Sequence, residues 1–271
     1  VTSGGLQSNH CRATALLCAR LGLKVHLLLR DEGDYRDQPD GNLLLDYLAG
    51  AAITIAAKAD YLRNQAAIID SIVKGYEAKG HRVWVIPVGA SDGHGVWGYV
   101  NCADELKNDF ARAGIAPQKL FHATGSGGTQ AGLSAGAVIH DLPCQVIGMA
   151  VCDSEAYFVS KVRQDLHHWA EEYALDIAVD DIPVAVNDHY IGPGYAVASA
   201  EVFSAIRRIG ALEGVVLDPV YTGKAFLGMV SEIERGALKD CSDVVFVHTG
   251  GIFGMMAQAG RLGFQRSVRP G

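Results

Sequence analysis

No apolar run in this 271-residue chain approaches the roughly 20 residues of a membrane-spanning helix, so no helical span is expected. Basic runs are missing as well. Twenty-three Lys and Arg against 30 Asp and Glu leave a net charge of −7, which argues against nucleic acid as the main partner and for a small ligand. The cysteines (Cys11, Cys18, Cys102, Cys144, Cys152 and Cys241) form no C-x-x-C pair, and free thiols in a reducing compartment, the cytoplasm, are expected. Without H-E-x-x-H or a cysteine–histidine cluster, a metal site has little support. An initiator Met is also lacking: Val1-Thr2-Ser3-Gly4-Gly5 reads as the tail of a buried strand, and a fragment is expected.

What is present is an alternation of short β-rich runs with helical stretches, the pattern of an α/β fold with parallel sheets and helices on both faces. Strands are expected at 24–29, 52–56, 83–88, 120–124, 145–151 and 244–249. Helices are expected near 9–21, 62–79, 98–113, 129–139, 155–173, 196–209 and 223–234. The loop Gly89-Ala90-Ser91-Asp92-Gly93-His94-Gly95 is the hinge candidate, separating a smaller α/β domain, 1–94, from a larger one, 95–271.

Ligands of open α/β sheets collect where strand ends lead into helix N-termini. Four such loops stand out. In Gly4-Gly5-Leu6-Gln7-Ser8-Asn9-His10, Ser8 or Asn9 serves either as a simple N-cap or as part of a carboxylate site at the positive helix end. Taken alone, His10 reads as a structural histidine. In Thr124-Gly125-Ser126-Gly127-Gly128-Thr129, glycines leave amides pointing into one concavity, a cup for a phosphate monoester, with tight strand–helix packing as the plain alternative. No Gly-Lys-Ser/Thr follows, so this is not a P-loop, and Gln130 stands where a G-x-G-x-x-G pattern needs glycine. The others are Leu217-Asp218-Pro219-Val220-Tyr221-Thr222-Gly223-Lys224 and Val247-His248-Thr249-Gly250-Gly251. Gly192-Pro193-Gly194-Tyr195 brings a second phenol.

These four motifs, in register over essentially the whole chain, resemble the D-cysteine desulfhydrase and 1-aminocyclopropane-1-carboxylate deaminase family, pyridoxal-phosphate enzymes of fold type II. The resemblance implies that Gly125, Ser126, Gly127, Gly128 and Thr129 hold the cofactor phosphate and that Asn9 meets the 3′-oxygen of its ring. It implies that Ser8, with the amides of Asn9 and His10, grips the substrate carboxylate or assists proton transfer. Tyr195 and Tyr221 would be the proton-handling phenols, and Thr249, with Thr222 nearby, the partner of the pyridine nitrogen. In the deaminase branch, Glu and Leu stand at the positions of Thr222 and Thr249. A neutral hydroxyl makes the ring a weaker electron sink, adequate for β-elimination but poor for opening a cyclopropane.

The implied reaction therefore converts D-cysteine to pyruvate, ammonia and hydrogen sulfide. The deaminase reaction and elimination of sulfite from L-cysteate are the alternatives, a non-catalytic cofactor-binding relative is the rival class, and a plain nucleotide-binding domain is a third. A cytoplasmic homodimer is implied. In this family the Schiff-base lysine precedes the Gln-Ser-Asn motif by about one strand–helix unit. None of Lys24, Lys58, Lys74, Lys79, Lys107, Lys119, Lys161, Lys224 and Lys239 has a matching context, so the chain is expected to lack that lysine and to be inactive by itself. The tail, 261–271, is expected either to pack on a preceding segment or to be loose.

Overall fold

The computed structural model describes residues 1–33, 35 and 38–264; most of the tail named above, 265–271, lies outside them. In chain order the elements are β1 (Thr2–Gly5), α1 (Asn9–Arg20), β2 (His26–Asp31), α2 (Gly41–Leu48), β3 (Ala52–Ala57) and α3 (Lys58–Glu77). After the glycine-rich connection come α4 (Val96–Ala113), β4 (Lys119–Thr124), α5 (Gly128–Ile139), β5 (Gln145–Ala150), α6 (Glu155–Glu172) and β6 (Ala185–Asn187). The chain continues through α7 (Ala200–Glu213), α8 (Thr222–Glu234), β7 (Val244–Phe246) and α9 (Ile252–Ala257).

All strand pairs are parallel. One sheet has the order β1-β2-β3 and the other β6-β5-β4-β7, so every carboxyl end within a sheet shares one edge. The fold class is α/β with helices covering the sheets. Gly89–Gly95 separates the two sheets along the sequence, but α9 returns to the first one: the Arg12 guanidinium lies 5.2 Å from the Phe253 ring centroid.

Packing is tightest between α4 and α5. A Cβ on Gly132 would lie 2.5 Å from the Val96 carbonyl oxygen, and one on Gly136 2.5 Å from Ala103 Cβ, so only glycine admits this approach. Val96, Val100, Ala131, Val162, Leu166 and Trp169 form the adjoining buried cluster.

Several expectations change. Residues 83–88 form no strand: this segment shares only two backbone bonds with the start of the chain, Ile86 N to Val1 O (2.9 Å) and Val1 N to Trp84 O (2.8 Å), beside a side-chain bond from Thr2 Oγ1 to Ile86 O, too little for a ladder. The last helix expected before the Asp218 loop starts at Ala200 rather than Ala196, because Ala196 has φ +59° and Ser199 caps the amide of Val202. β7 ends at Phe246, as only Val247 N continues the pairing, to Phe121 O (2.8 Å). α2, β6 and α9 were not expected at all; each is shorter than the 3.6- or 2-residue periodicity needs to declare itself.

Candidate active site

Local chemistry fixes the first loop. The Ser8 hydroxyl caps α1 by accepting from Cys11 N (3.1 Å), and Gly4 must be glycine because a Cβ there would sit 2.7 Å from Ser8 Oγ. Among the described residues the amides of Asn9 and His10 donate to no protein acceptor, so the first turn of α1 offers them to an anion. Asn9 Oδ1 accepts from Asn42 Nδ2 (2.9 Å), leaving the Asn9 NH2 group free. The His10 imidazole turns to β1. Its Nε2 lies 2.8 Å from Thr2 Oγ1, whose own hydrogen goes to Ile86 O, so the ring donates; burial lowers its pKa to about 4. The His10 backbone amide remains for a ligand.

At the second loop, Gly127 (φ +97°) turns the chain into α5. The amides of Gly125, Ser126, Gly127 and Thr129 donate to no acceptor among the described residues. The Gly128 amide goes to Ser91 Oγ (3.1 Å), which donates to Ser126 Oγ (2.7 Å), so the hinge loop lies against the cup. Lys161 Nζ donates to Ser91 O (3.0 Å) and pairs with Asp165 (2.5 Å), setting a half-buried ion pair behind Gly127. Below, Thr124 Oγ1 is buried without a partner.

The phenols connect the two loops. Tyr195 and Tyr221 hydroxyls are 2.7 Å apart, and the Tyr221 ring overlies Gly125, where a Cβ would meet its Cε1 at 2.8 Å. Arg30, paired with Gly5 across β1 and β2, places its guanidinium 5.7 Å from the Tyr195 ring centroid. Contacts thus run unbroken from the α1 loop through Arg30, Tyr195 and Tyr221 to the cup. Burial raises both phenol pKa values. For Tyr195 the Tyr221 hydrogen bond and the Arg30 charge oppose that rise, whereas for Tyr221 the neighbouring Tyr195 adds to it, and either hydroxyl can donate within the pair.

Asp218 holds Tyr221 in place. Its carboxylate accepts from the amides of Val220 (2.9 Å), Tyr221 (3.0 Å) and Thr222 (2.8 Å) and from Thr222 Oγ1 (2.8 Å), while Asp218 N donates to the same hydroxyl (2.8 Å). Both hydrogen-bonding roles of the Thr222 hydroxyl are spent there. Lys224, 2% exposed, gives its ammonium to the carbonyls of Val151 (3.3 Å), Ile191 (2.8 Å) and Gly194 (2.6 Å), tying the loop that carries Tyr195 to the end of β5.

Thr249 sits just past the carboxyl end of β7, which runs parallel beside β4 with Lys119 opposite Val244 and Phe121 opposite Phe246. It therefore belongs to the same sheet edge as the cup, where it is exposed. His248 braces that loop, accepting from Gly250 N (3.0 Å) and donating to Val216 O (2.9 Å). A cavity of about 580 Å³ opens beside the phenols, between Gly5, Gln7, Arg30, Lys58, Tyr195 and Arg261.

Sequence reasoning passed over Arg30, Asn42, Ser91 and the holding roles of Asp218 and Lys224. Asp218 alone carried a signal, an Asp-Pro step four residues before a helix. The others act across 25 or more residues, which no local pattern encodes. Among the described residues no group of three or more His, Cys, Asp or Glu is placed to hold a metal, and no helix is long and apolar enough to cross a membrane.

The donors fit a pyridine phosphate: unpartnered amides at a helix N-terminus for the phosphoryl group, an aromatic wall, and a free NH2 on Asn9. The family described as pyridoxal-phosphate dependent enzyme matches residues 1–250. The chain belongs to this family.

Its similarity is specific. A Thermotoga maritima protein provisionally named 1-aminocyclopropane-1-carboxylate deaminase is 44% identical over 96% of this chain and 80% of its own length. A Serratia proteamaculans D-cysteine desulfhydrase is 34% identical over 93% of this chain and 75% of its own. The Arabidopsis thaliana mitochondrial enzyme named for both activities is 34% identical over 94% of this chain and 64% of its own. The crystal structure of an ACC deaminase homologue superposes with a TM-score of 0.83 at 32% identity, covering 96% of this chain and 76% of that one. The architecture is fold type II, and pyridoxal phosphate is the cofactor of this family.

Proposed function

We propose that this chain holds pyridoxal phosphate and a cysteine-like amino acid for β-elimination, D-cysteine giving pyruvate, ammonia and hydrogen sulfide. The contact between Gly125 and Tyr221 carries the reading, because it brings the anion cup and the phenol pair into one site. The amides of Gly125, Ser126, Gly127 and Thr129, at the positive end of α5, bind the phosphoryl group. Bound there, the coenzyme supplies the electron sink that makes a Cα proton removable. Asn9 donates its NH2 to the ring oxygen, and Thr249 presents a neutral hydroxyl to the ring nitrogen. Thr222 contributes by position only, since Asp218 takes its hydroxyl.

Ser8 Oγ–H and the amides of Asn9 and His10 receive the substrate carboxylate at the start of α1. Raised pKa values keep both phenols protonated through neutral pH, so Tyr195, backed by Tyr221, is set to deliver a proton to the departing sulfur.

Relatives at 34–44% identity named for both reactions support the class, and a neutral Thr249 favours elimination over ring opening. A lysine that would bind the coenzyme covalently is neither Lys224, which spends its ammonium on three carbonyls, nor Lys161, which pairs with Asp165. Residues 1–271 alone are expected to bind pyridoxal phosphate reversibly, with no mass gain after borohydride reduction; an adduct on Lys224 or Lys161 would overturn that assignment.

In a protein carrying this chain together with such a lysine, D-cysteine should release sulfide and pyruvate far faster than the cyclopropane amino acid releases ammonia. Tyr195→Phe should lower kcat about 100-fold. Faster turnover of the cyclopropane substrate would establish the deaminase reading, and sulfite from L-cysteate the sulfo-lyase one. A cytoplasmic homodimer belongs to the same proposal; Leu17, Leu21 and Leu23, exposed around the end of α1, are apolar surface that pairing would cover, and light scattering tests it.

A further inference from the structure

α2 begins without a side-chain cap of its own, and its first turn is held from outside. Gln7 Oε1 accepts from Asn42 N (2.8 Å), while Gln7 Nε2 donates to Asp40 O (3.2 Å) and Oδ1 (3.1 Å). Asn42, fully buried, sits at the centre of this junction. Its Nδ2 donates to Gln7 O (2.9 Å) and to Asn9 Oδ1 (2.9 Å), and its Oδ1 accepts from Arg12 Nε (3.1 Å).

Two of these partners leave no choice. A backbone carbonyl can only accept and a guanidinium nitrogen can only donate, so the carboxamide of Asn42 has one orientation. Its NH2 therefore faces Asn9 and demands an acceptor. Asn9 must answer with its oxygen, which turns its own NH2 outward. Arg12 is itself braced by the Phe253 ring (5.2 Å), and Gly254 lies against Asn42, where a Cβ would make ordinary contact with Nδ2 at 3.6 Å. Thus α9, directly after the Thr249 loop, closes the junction.

We propose that Asn42 is a positioning residue that orients the Asn9 carboxamide, so that an amino group and not a carbonyl oxygen meets the ring oxygen of the coenzyme. Reversed, Asn9 would set oxygen against oxygen in a half-buried site, a repulsion instead of a hydrogen bond. The inference rests on the role given to Asn9 above and extends it to a residue that touches neither coenzyme nor substrate.

The test is pyridoxal-phosphate binding by the chain, read by equilibrium dialysis and by the absorption spectrum of the bound coenzyme, with Asn42→Asp, Asn9→Ala and the double variant. Asn42→Asp, which removes the donor and keeps the shape, should weaken binding about tenfold and shift the spectrum as Asn9→Ala does. On the Asn9→Ala background it should add less than about twofold, because the two act as one unit. Affinity for inorganic phosphate, which reports the cup alone, should not move.

An equal loss in both backgrounds, or a parallel loss of phosphate affinity, would overturn the inference in favour of a general structural role. If Asn42→Asp does not fold, Asn42→Ala carries the same comparison. Failure of the unaltered chain to bind pyridoxal phosphate would sink the functional reading and this inference with it; binding that ignores Asn42 would sink the inference alone.

Discussion

Two helices show how differently the halves of the site are held. α5, behind the cup, buries every residue from Gln130 to Gly136, whereas the 20-residue α3, on the three-stranded sheet, buries only Tyr61. The cup is positioned by close packing: glycines on α5 let α4 approach within backbone contact, and nothing there can shift singly. The α1 loop is positioned instead by directional polar bonds, Gln7 and Asn9 to Asn42, Asn42 to Arg12 and His10 to Thr2.

The sharpest way to break this contrast is on the packed side. Lys224→Met strips three carbonyls, that of Val151 buried, of their donor and should cost about 3 kcal/mol of stability in urea denaturation. Gly132→Val, forcing side-chain atoms against the Val96 carbonyl, should cost about 2 kcal/mol, seen as a lowered Tm.

The polar side should respond to pH instead. Asp46 has both carboxylate oxygens buried without a hydrogen-bond partner, and desolvation lifts its pKa to about 7 in spite of Arg12. Between about pH 4 and 7 the unfolded chain has lost this proton while the folded chain keeps it, so stability falls as pH rises through that window. Asp46→Asn should be nearly neutral at pH 4 and stabilising by about 2 kcal/mol at pH 8, measured by denaturation at both pH values. Smallest of all is Lys58→Gln: the Lys58 side chain is 58% exposed in its pair with Glu32, and the change should stay within about 0.5 kcal/mol.

The same contrast explains what the sequence made legible. Strands such as Leu120–Thr124 and helices such as Asn9–Arg20 announce themselves through continuous apolar runs, glycine turns and the Ser8 cap, all local signals. The Thr-Gly-Ser-Gly-Gly-Thr cup is a local motif too, and its free amides stand where its glycines imply. The relay through Asn42 was invisible because its partners lie 30 to 35 positions away and α2 is only eight residues long. His10 and Thr222 teach the reverse lesson: each stands in a motif, yet its side chain is taken by a neighbour, Thr2 in one case and Asp218 in the other.

The central claim is that pyridoxal phosphate is gripped by the amides that lead into α5. Amide hydrogen exchange, followed residue by residue while the coenzyme is titrated into the chain, tests it most directly. Exchange at Gly125, Ser126, Gly127 and Thr129 should slow together, and inorganic phosphate should slow the same four while leaving Asn9 and His10 untouched. Saturation with the coenzyme that leaves those four amides exchanging at their original rates would contradict the account.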